Sequence, residues 1–402
     1  MEELKITLEE TISIRPSKQP ERQTIQLSGL DRISPAILYT IFFYKSQFNN
    51  EKTSSSSSDD VVDRAKTALQ KVLISWFPTA GRLRINAETE KLEIDCNNQG
   101  VTAITAKTGS KLEELGRLCE YKPCYEKLVP QLPDAEDISK NPLVVVQITR
   151  FACGGFSIGF GSSHTLFDGI GAFNFLASWA HIATGKDESD LIVPNHSRNA
   201  LLNAICTPYS TPIATSIYEQ DHIAAIQDLY RIPMQAMASD DRRWETELAK
   251  FSQIDPQGGL QLISLSIKKE VVEAWKELVI ERGARVKALT LDPQTNICLQ
   301  FPVDSRSRLQ PPLGNNFTGN AFVLASVSCS VKDLLEQPLH INIQKIQEAK
   351  DIITDEYIKL YTKALESSDK FFPSMRELTI VTDWLKFPLH ELDFGWGEGF
   401  QV

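Results

Sequence analysis

GFGSSHTLFDG, residues 159–169, decides how the chain is read. It closes an apolar run, sets His164 at the run's end, and places Asp168 four residues later with Gly169 behind it. Upstream, LVVVQITRF, the CGG turn and FSIGFGSSH read as two strands over residues 143–163. Phe156, Ile158 and Phe160 share one strand face, while Gly159 and Gly161 leave the other nearly bare. A bare strand face marks close approach of a backbone or a ligand. Downstream, DGIGAFNFLASWAHIA reads as a helix with Asp168 near its start, where a carboxylate suits the free amides and the positive dipole end.

A strand terminus is a stiff mount for a general base. An imidazole titrating near pH ~6.5 can take a proton from a hydroxyl or amine and return it. The same two residues also fit a plain structural reading, with His164 a satisfied histidine and Asp168 a helix N-cap. A metal site would need at least a third ligand, and His181, His196, His222, His340 and His390 form no cluster with the pair. The seven cysteines are odd in number, scattered and without a CxxC, so neither a zinc site nor a disulfide framework is expected.

At 402 residues the chain exceeds one ordinary core, which favours two domains or two similar halves. Hydrophobic residues at 42% and charged residues at 23% describe a globular, soluble protein. A net charge of −10 argues against a nucleic-acid groove or a membrane-surface stripe, although a local basic patch could still hold an anionic ligand. MEELKITLEETISIRP carries no signal-peptide core, and no window reaches the roughly 20 apolar residues of a membrane span. The expected setting is reduced and cytoplasmic, where the sequons at Asn195 and Asn316 carry no weight.

Residues 3–15 alternate as a strand, and TSSSSSDD, residues 53–60, reads as a solvated loop. Val62, Ala65, Leu69, Val72, Leu73 and Trp76 recur at helical spacing up to Pro78. LRINAETEKLEIDCNN reads as a hairpin, and residues 184–215 as a connector. Strands around 260–267, 296–303 and 321–328, with helices around 330–365, make a second mixed half. The reading is an α/β protein in two parts joined by a long crossover.

Four further segments narrow the function: LSGLDR (27–32), SWFPTAGRL (75–83), FPVDSRSRLQPPLGNNFTGNA (301–321) and TDWLKFPLHELDFGWG (382–397). With HTLFDG they resemble, in order and separation, the plant BAHD acyltransferases, which move acyl groups from coenzyme A thioesters to specialised metabolites. HxxxD alone is a weak signal, whereas HxxxDG followed by DFGWG is a specific one.

The resemblance implies two chloramphenicol-acetyltransferase-like halves, each a mixed sheet flanked by helices, with a channel between them. Residues 1–185 would form the half with HxxxD, 186–215 the crossover loop, and 216–402 the half with DFGWG. His164 would be the base. Asp168 would turn away, pair with Arg306 and support it. Thr382 and Trp384 match a Thr-x-Trp that contacts the oxyanion in hydroxycinnamoyl-transferring members. Asp393, Phe394, Gly395, Trp396 and Gly397 would be structural. Asn320 lies on the expected channel-lining stretch, where it could bond a ligand or form a turn.

The partners implied are an acyl-CoA co-substrate and a small-molecule acceptor, with no tightly bound cofactor, no metal, no nucleic acid, no membrane, and a monomeric enzyme. No GxSxG nucleophile elbow occurs, which suits direct transfer. Two alternatives stay open: closure of an ortho-hydroxycinnamoyl thioester on itself to a coumarin, and a non-catalytic or poorly folding relative that only binds a ligand or partner. The second is motivated by two departures from the family. Only a fragment ending in VKALTLDP stands where relatives carry a longer element at residues 268–293, and the chain stops at GEGFQV where relatives carry a further tail.

Overall fold

The computed structural model describes residues 4–32, 36–45, 58–118, 122–131, 137–206, 292–365, 378–382, 387–395 and 400–401. Its largest sheet has six strands. In chain order these are β1 (Thr7–Ile14), β3 (Ile37–Tyr44), β6 (Val101–Lys107), β7 (Val144–Arg150), β8 (Phe156–Ser163) and β12 (Phe400–Gln401), arranged β1-β6-β7-β8-β3-β12. β6 and β7 run parallel and every other neighbouring pair is antiparallel, so the sheet is mixed. All eight residues of β8 are buried, as suits an inner strand of a sheet covered on both sides.

Helices α1 (Ser58–Ser75) and α2 (Gly169–Ala183) lie together on this sheet. The helical periodicity of Ala65, Leu69, Val72 and Trp76 places these side chains in one core with Phe160, Phe175 and Trp179. Trp179 Nε1 donates to the Ala65 carbonyl at 2.8 Å, so the indole's polar atom is satisfied where the helices meet. The expected hairpin forms β4 (Arg82–Ile85) and β5 (Leu92–Cys96), which β2 (Gln23–Gln26) extends to a second sheet of order β2-β5-β4.

After α3 (Asn199–Cys206), a third sheet joins β9 (Asn296–Asp304), β10 (Phe322–Ser330) and β11 (Leu378–Ile380) in the order β10-β9-β11. Helices α4 (Val331–Glu336), α5 (Leu339–Asp351) and α6 (Asp355–Leu365) accompany it, and its core is separate: Leu299, Phe301, Val323, Ile346, Ile358 and Tyr361 form their own cluster. The architecture is mixed α/β, with sheets flanked by helices. The strand read around 260–267 and residues 207–215 of the connector lie outside the described residues.

The bare glycine face has a definite cause. A methyl group on Gly159 would stand 2.1 Å from the Leu128 carbonyl oxygen, and one on Gly161 would meet the Tyr39 ring at 2.6 Å. Backbone and ring, not a ligand, occupy that face. β3, whose sequence carries no alternation, pairs with the whole of β8 from Ile37 opposite Ser163 to Tyr44 opposite Phe156.

Candidate active site

His164 is the first residue after β8. Its main chain is tied at both ends: its N–H donates to the Ala36 carbonyl at 3.0 Å, and its carbonyl accepts from Asn320 Nδ2 at 2.7 Å. The half-buried ring lies edge-on to Phe322 at a centroid distance of 5.7 Å. On its open side is a cavity whose walls include Leu38 and Thr40 from β3, Phe160 and Ser162 from β8, Phe173 from α2, and Leu389. The alternation of β8 delivers Phe160, Ser162 and then His164 to the same wall. Imidazole is therefore the basic group on a mainly apolar surface, where a reacting hydroxyl or amine would find few other proton acceptors.

Asp168 also lines this cavity, but its carboxylate faces inward to the protein. It caps α2 by accepting from Gly171 N at 3.0 Å. Arg306 clamps it with two parallel bonds, Nη1 to Oδ2 at 2.8 Å and Nη2 to Oδ1 at 2.9 Å, and Ala321 N adds a fourth donor at 3.1 Å. Such a fork-to-fork pair fixes orientation as well as charge. Arg306 is only 2% exposed, and it also donates to Asp304 and to the Phe317 and Gly319 carbonyls. Burial opposes its charge, yet the carboxylates of Asp168 and Asp304 hold its pKa above the ordinary value.

A second buried pair lies beside the first. Asp31, from LSGLDR, accepts from Arg198 Nε at 3.3 Å, and both side chains are almost wholly enclosed. Arg198 in turn reaches the Leu166 carbonyl, inside the turn between His164 and Asp168, at 3.1 Å. Asp31 Oδ1 accepts from both the backbone N and the Nδ2 of Asn320, at 2.9 and 3.0 Å. Asn320 therefore directs its amide donors to Asp31 and the His164 carbonyl, and its Oδ1 has no hydrogen-bond partner among the described residues.

His196 completes this junction. Its Nε2 faces the Ser75 carbonyl at 2.8 Å and must donate there, which leaves Nδ1 to accept from the Thr318 hydroxyl at 2.9 Å. Burial pushes its pKa down to about 4, against the pull of the Ser75 carbonyl and with the help of nearby Arg198. Sequence reading assigned no role to Asp31, Arg198 or His196. The available signal was a charged pair in the apolar run of LSGLDR and an Arg inside the connector.

Around DFGWG, Phe394 is fully buried and stands edge-on to Trp179 at 4.7 Å and to Tyr44 at 6.1 Å. Asp393 Oδ1 accepts from Gly395 N at 2.7 Å, closing a tight turn in which Gly395 adopts φ +96°. Tyr44 hydroxyl donates to the Leu392 carbonyl at 3.0 Å, and burial, then Asp393, raise its pKa. Thr382 is exposed, while Trp384, Trp396 and Gly397 lie outside the described residues. Among the described residues, no three His, Cys, Asp or Glu side chains form a group that could hold a metal ion, and no helix is long and apolar enough to cross a membrane.

The described site is a histidine on an apolar cavity of a mixed-sheet α/β fold, backed by a buried carboxylate–guanidinium clamp. The chain matches the Transferase family over residues 4–254 and 268–402. It is 37% identical to Brassinosteroid-related acyltransferase 1 of Arabidopsis thaliana, over 94% of this chain and 83% of that protein. It is 30% identical to the Omega-hydroxypalmitate O-feruloyl transferase of the same plant, over 98% and 83%. Its fold is similar to that of the crystal structure of Vinorine Synthase, with TM-score 0.66 at 19% identity over 99% of this chain and 88% of that one. The chain belongs to the BAHD acyltransferases and is an acyl-CoA-dependent acyltransferase.

Proposed function

We propose that this chain transfers an aromatic acyl group of the hydroxycinnamoyl class from its coenzyme A thioester to a hydroxyl or amine of a small metabolite, with His164 as general base. One observation carries the reading: His164 presents its ring to an apolar cavity, while Asp168 behind it is saturated by four donors from the protein. A ring nitrogen takes the acceptor's proton as its oxygen or nitrogen attacks the thioester carbonyl. The tetrahedral adduct collapses, the carbon–sulfur bond breaks, and the imidazolium returns the proton to the departing thiolate. No acyl-enzyme is required.

In this proposal Asp168 and Arg306 support the base from behind, and Thr382 and Trp384 contact the oxyanion. The turn of Asp393, Phe394, Gly395, Trp396 and Gly397 is structural. Residues 1–185 and 216–402 form the two halves and 186–215 the crossover, in a monomeric cytoplasmic enzyme. The choice of acyl group is supported by the feruloyl named for one relative and by the Thr382–Trp384 match.

The test is incubation with feruloyl-CoA and a panel of alcohols and amines, following free thiol release and product mass. Acceptor-dependent thiol release with a matching ester or amide is expected, reduced about 100- to 10,000-fold in His164→Ala. Binding of feruloyl-CoA with no thiol release across the panel would overturn the reading.

A further inference from the structure

His164 is held from behind by a residue from the other half of the chain. Asn320 sits at the end of FTGN, two residues before β10 begins, and is fully buried. Its Nδ2 has two hydrogens and two acceptors, Asp31 Oδ1 at 3.0 Å and the His164 carbonyl at 2.7 Å. Both partners are acceptors only, so the amide cannot be reversed without losing both bonds. Oδ1 has no partner among the described residues, which leaves the donors alone to set the side chain's orientation.

Asp31 is itself fully buried and bonded through both oxygens. Oδ2 accepts from Ser28 N, Ser28 Oγ and Arg198 Nε, while Oδ1 accepts from the Asn320 amides. The chain of bonds runs Arg198, Asp31, Asn320, His164, and Arg198 also grips the Leu166 carbonyl two residues beyond the histidine. We infer that Asn320 is a positioning residue for His164, and that Asp31 fixes Asn320 in that role.

This rests on His164 being the base. The physical reason is that a general base must meet its proton within hydrogen-bond reach, and while the His164 N–H is held by the Ala36 carbonyl, its carbonyl, on the side of the turn, is held by Asn320. Freeing that carbonyl lets the peptide between His164 and Thr165 rotate and swings the imidazole on the cavity wall. Asn320 is not among the residues lining the cavity, and the change removes a main-chain bond behind it, so the loss belongs in kcat.

The experiment is a double-mutant cycle of Asn320→Ala and His164→Ala in the full chain, assayed with feruloyl-CoA and the best acceptor. Asn320→Ala is expected to lower kcat about 10- to 100-fold with the KM for feruloyl-CoA within about twofold. In the His164→Ala background the same substitution should change the residual rate by less than about twofold, because no base is left to position. Asp31→Asn, which keeps the shape and loses the charge, should show the same dependence on His164 at smaller amplitude.

Equal rate losses from Asn320→Ala in both backgrounds would overturn the inference and leave a purely structural role. So would an unchanged kcat. If His164→Ala itself retained near-full activity, the fault would lie in the proposed base and not in its mount. Should Asn320→Ala fail to fold, Asn320→Ser, which keeps one donor, carries the same cycle.

Discussion

His164 and Asp168 stand four residues apart and live in opposite surroundings. The histidine faces a cavity walled by Leu38, Phe160, Phe173 and Leu389. The aspartate faces Arg306, Gly171 N and Ala321 N, with every lone pair in the plane of its carboxylate engaged. The contrast teaches how a fold aims one polar group without crowding it. Polar satisfaction is concentrated behind the turn, where charge and hydrogen bonds dictate geometry, and the front is left mainly apolar, as the proposed role of the ring as base requires.

If the rear is a clamp, breaking it should act mainly on stability. Arg306→Ala removes the partner of a buried carboxylate and is expected to destabilise by about 3–5 kcal/mol, read from the urea midpoint. A shift below about 1 kcal/mol would mean that Asp168 finds solvent, and the contrast would blur.

A smaller effect is expected from acid. His196 is neutral in the fold and pKa about 4, below the ~6.5 of an unfolded histidine. Between those values the unfolded chain binds the proton first, so stability is full above about pH 6.5 and falls as the pH drops toward 4. The loss should reach about 3 kcal/mol, and His196→Gln should flatten that limb of the stability–pH curve. An unaltered limb in the variant would remove His196 from the junction's energetics.

The front should answer differently. Phe173 stacks on Phe387 at 5.9 Å and is only half-buried, so Phe173→Ala should cost about 1 kcal/mol of stability or less. Its effect belongs in binding: a lost aromatic wall should raise one substrate's KM about 5- to 30-fold. Were Phe173→Ala as destabilising as Arg306→Ala and silent in KM, front and rear would not be distinct.

Parts of this were legible before any coordinates. β7, β8 and α2 announce themselves because alternation gives way to helical spacing across one glycine-flanked turn, and the hairpin at Arg82–Cys96 has polar residues between β-rich arms. β3 escaped notice because ILYTIFFY is buried along half its length without alternation, so period alone cannot tell it from a buried helix segment. The bare face at Gly159 was ambiguous until the Leu128 carbonyl was seen against it.

The site was legible on one side only. His164 and Asp168 are local, and Arg306 entered through likeness to a family. The rear bonds span distances no local pattern encodes: Asp168 to Arg306 is 138 residues, Asn320 to His164 is 156, and Asn320 to Asp31 is 289. A buried Asp beside an Arg in LSGLDR hints that a counter-charge exists, but not that it is Arg198.

The most direct test is the turnover number of folded His164→Ala at saturating feruloyl-CoA and acceptor, with circular dichroism confirming an unchanged fold. The account predicts a fall of about 100- to 10,000-fold. Turnover within about threefold of the unsubstituted enzyme would contradict it, because a proton then leaves the acceptor without the imidazole.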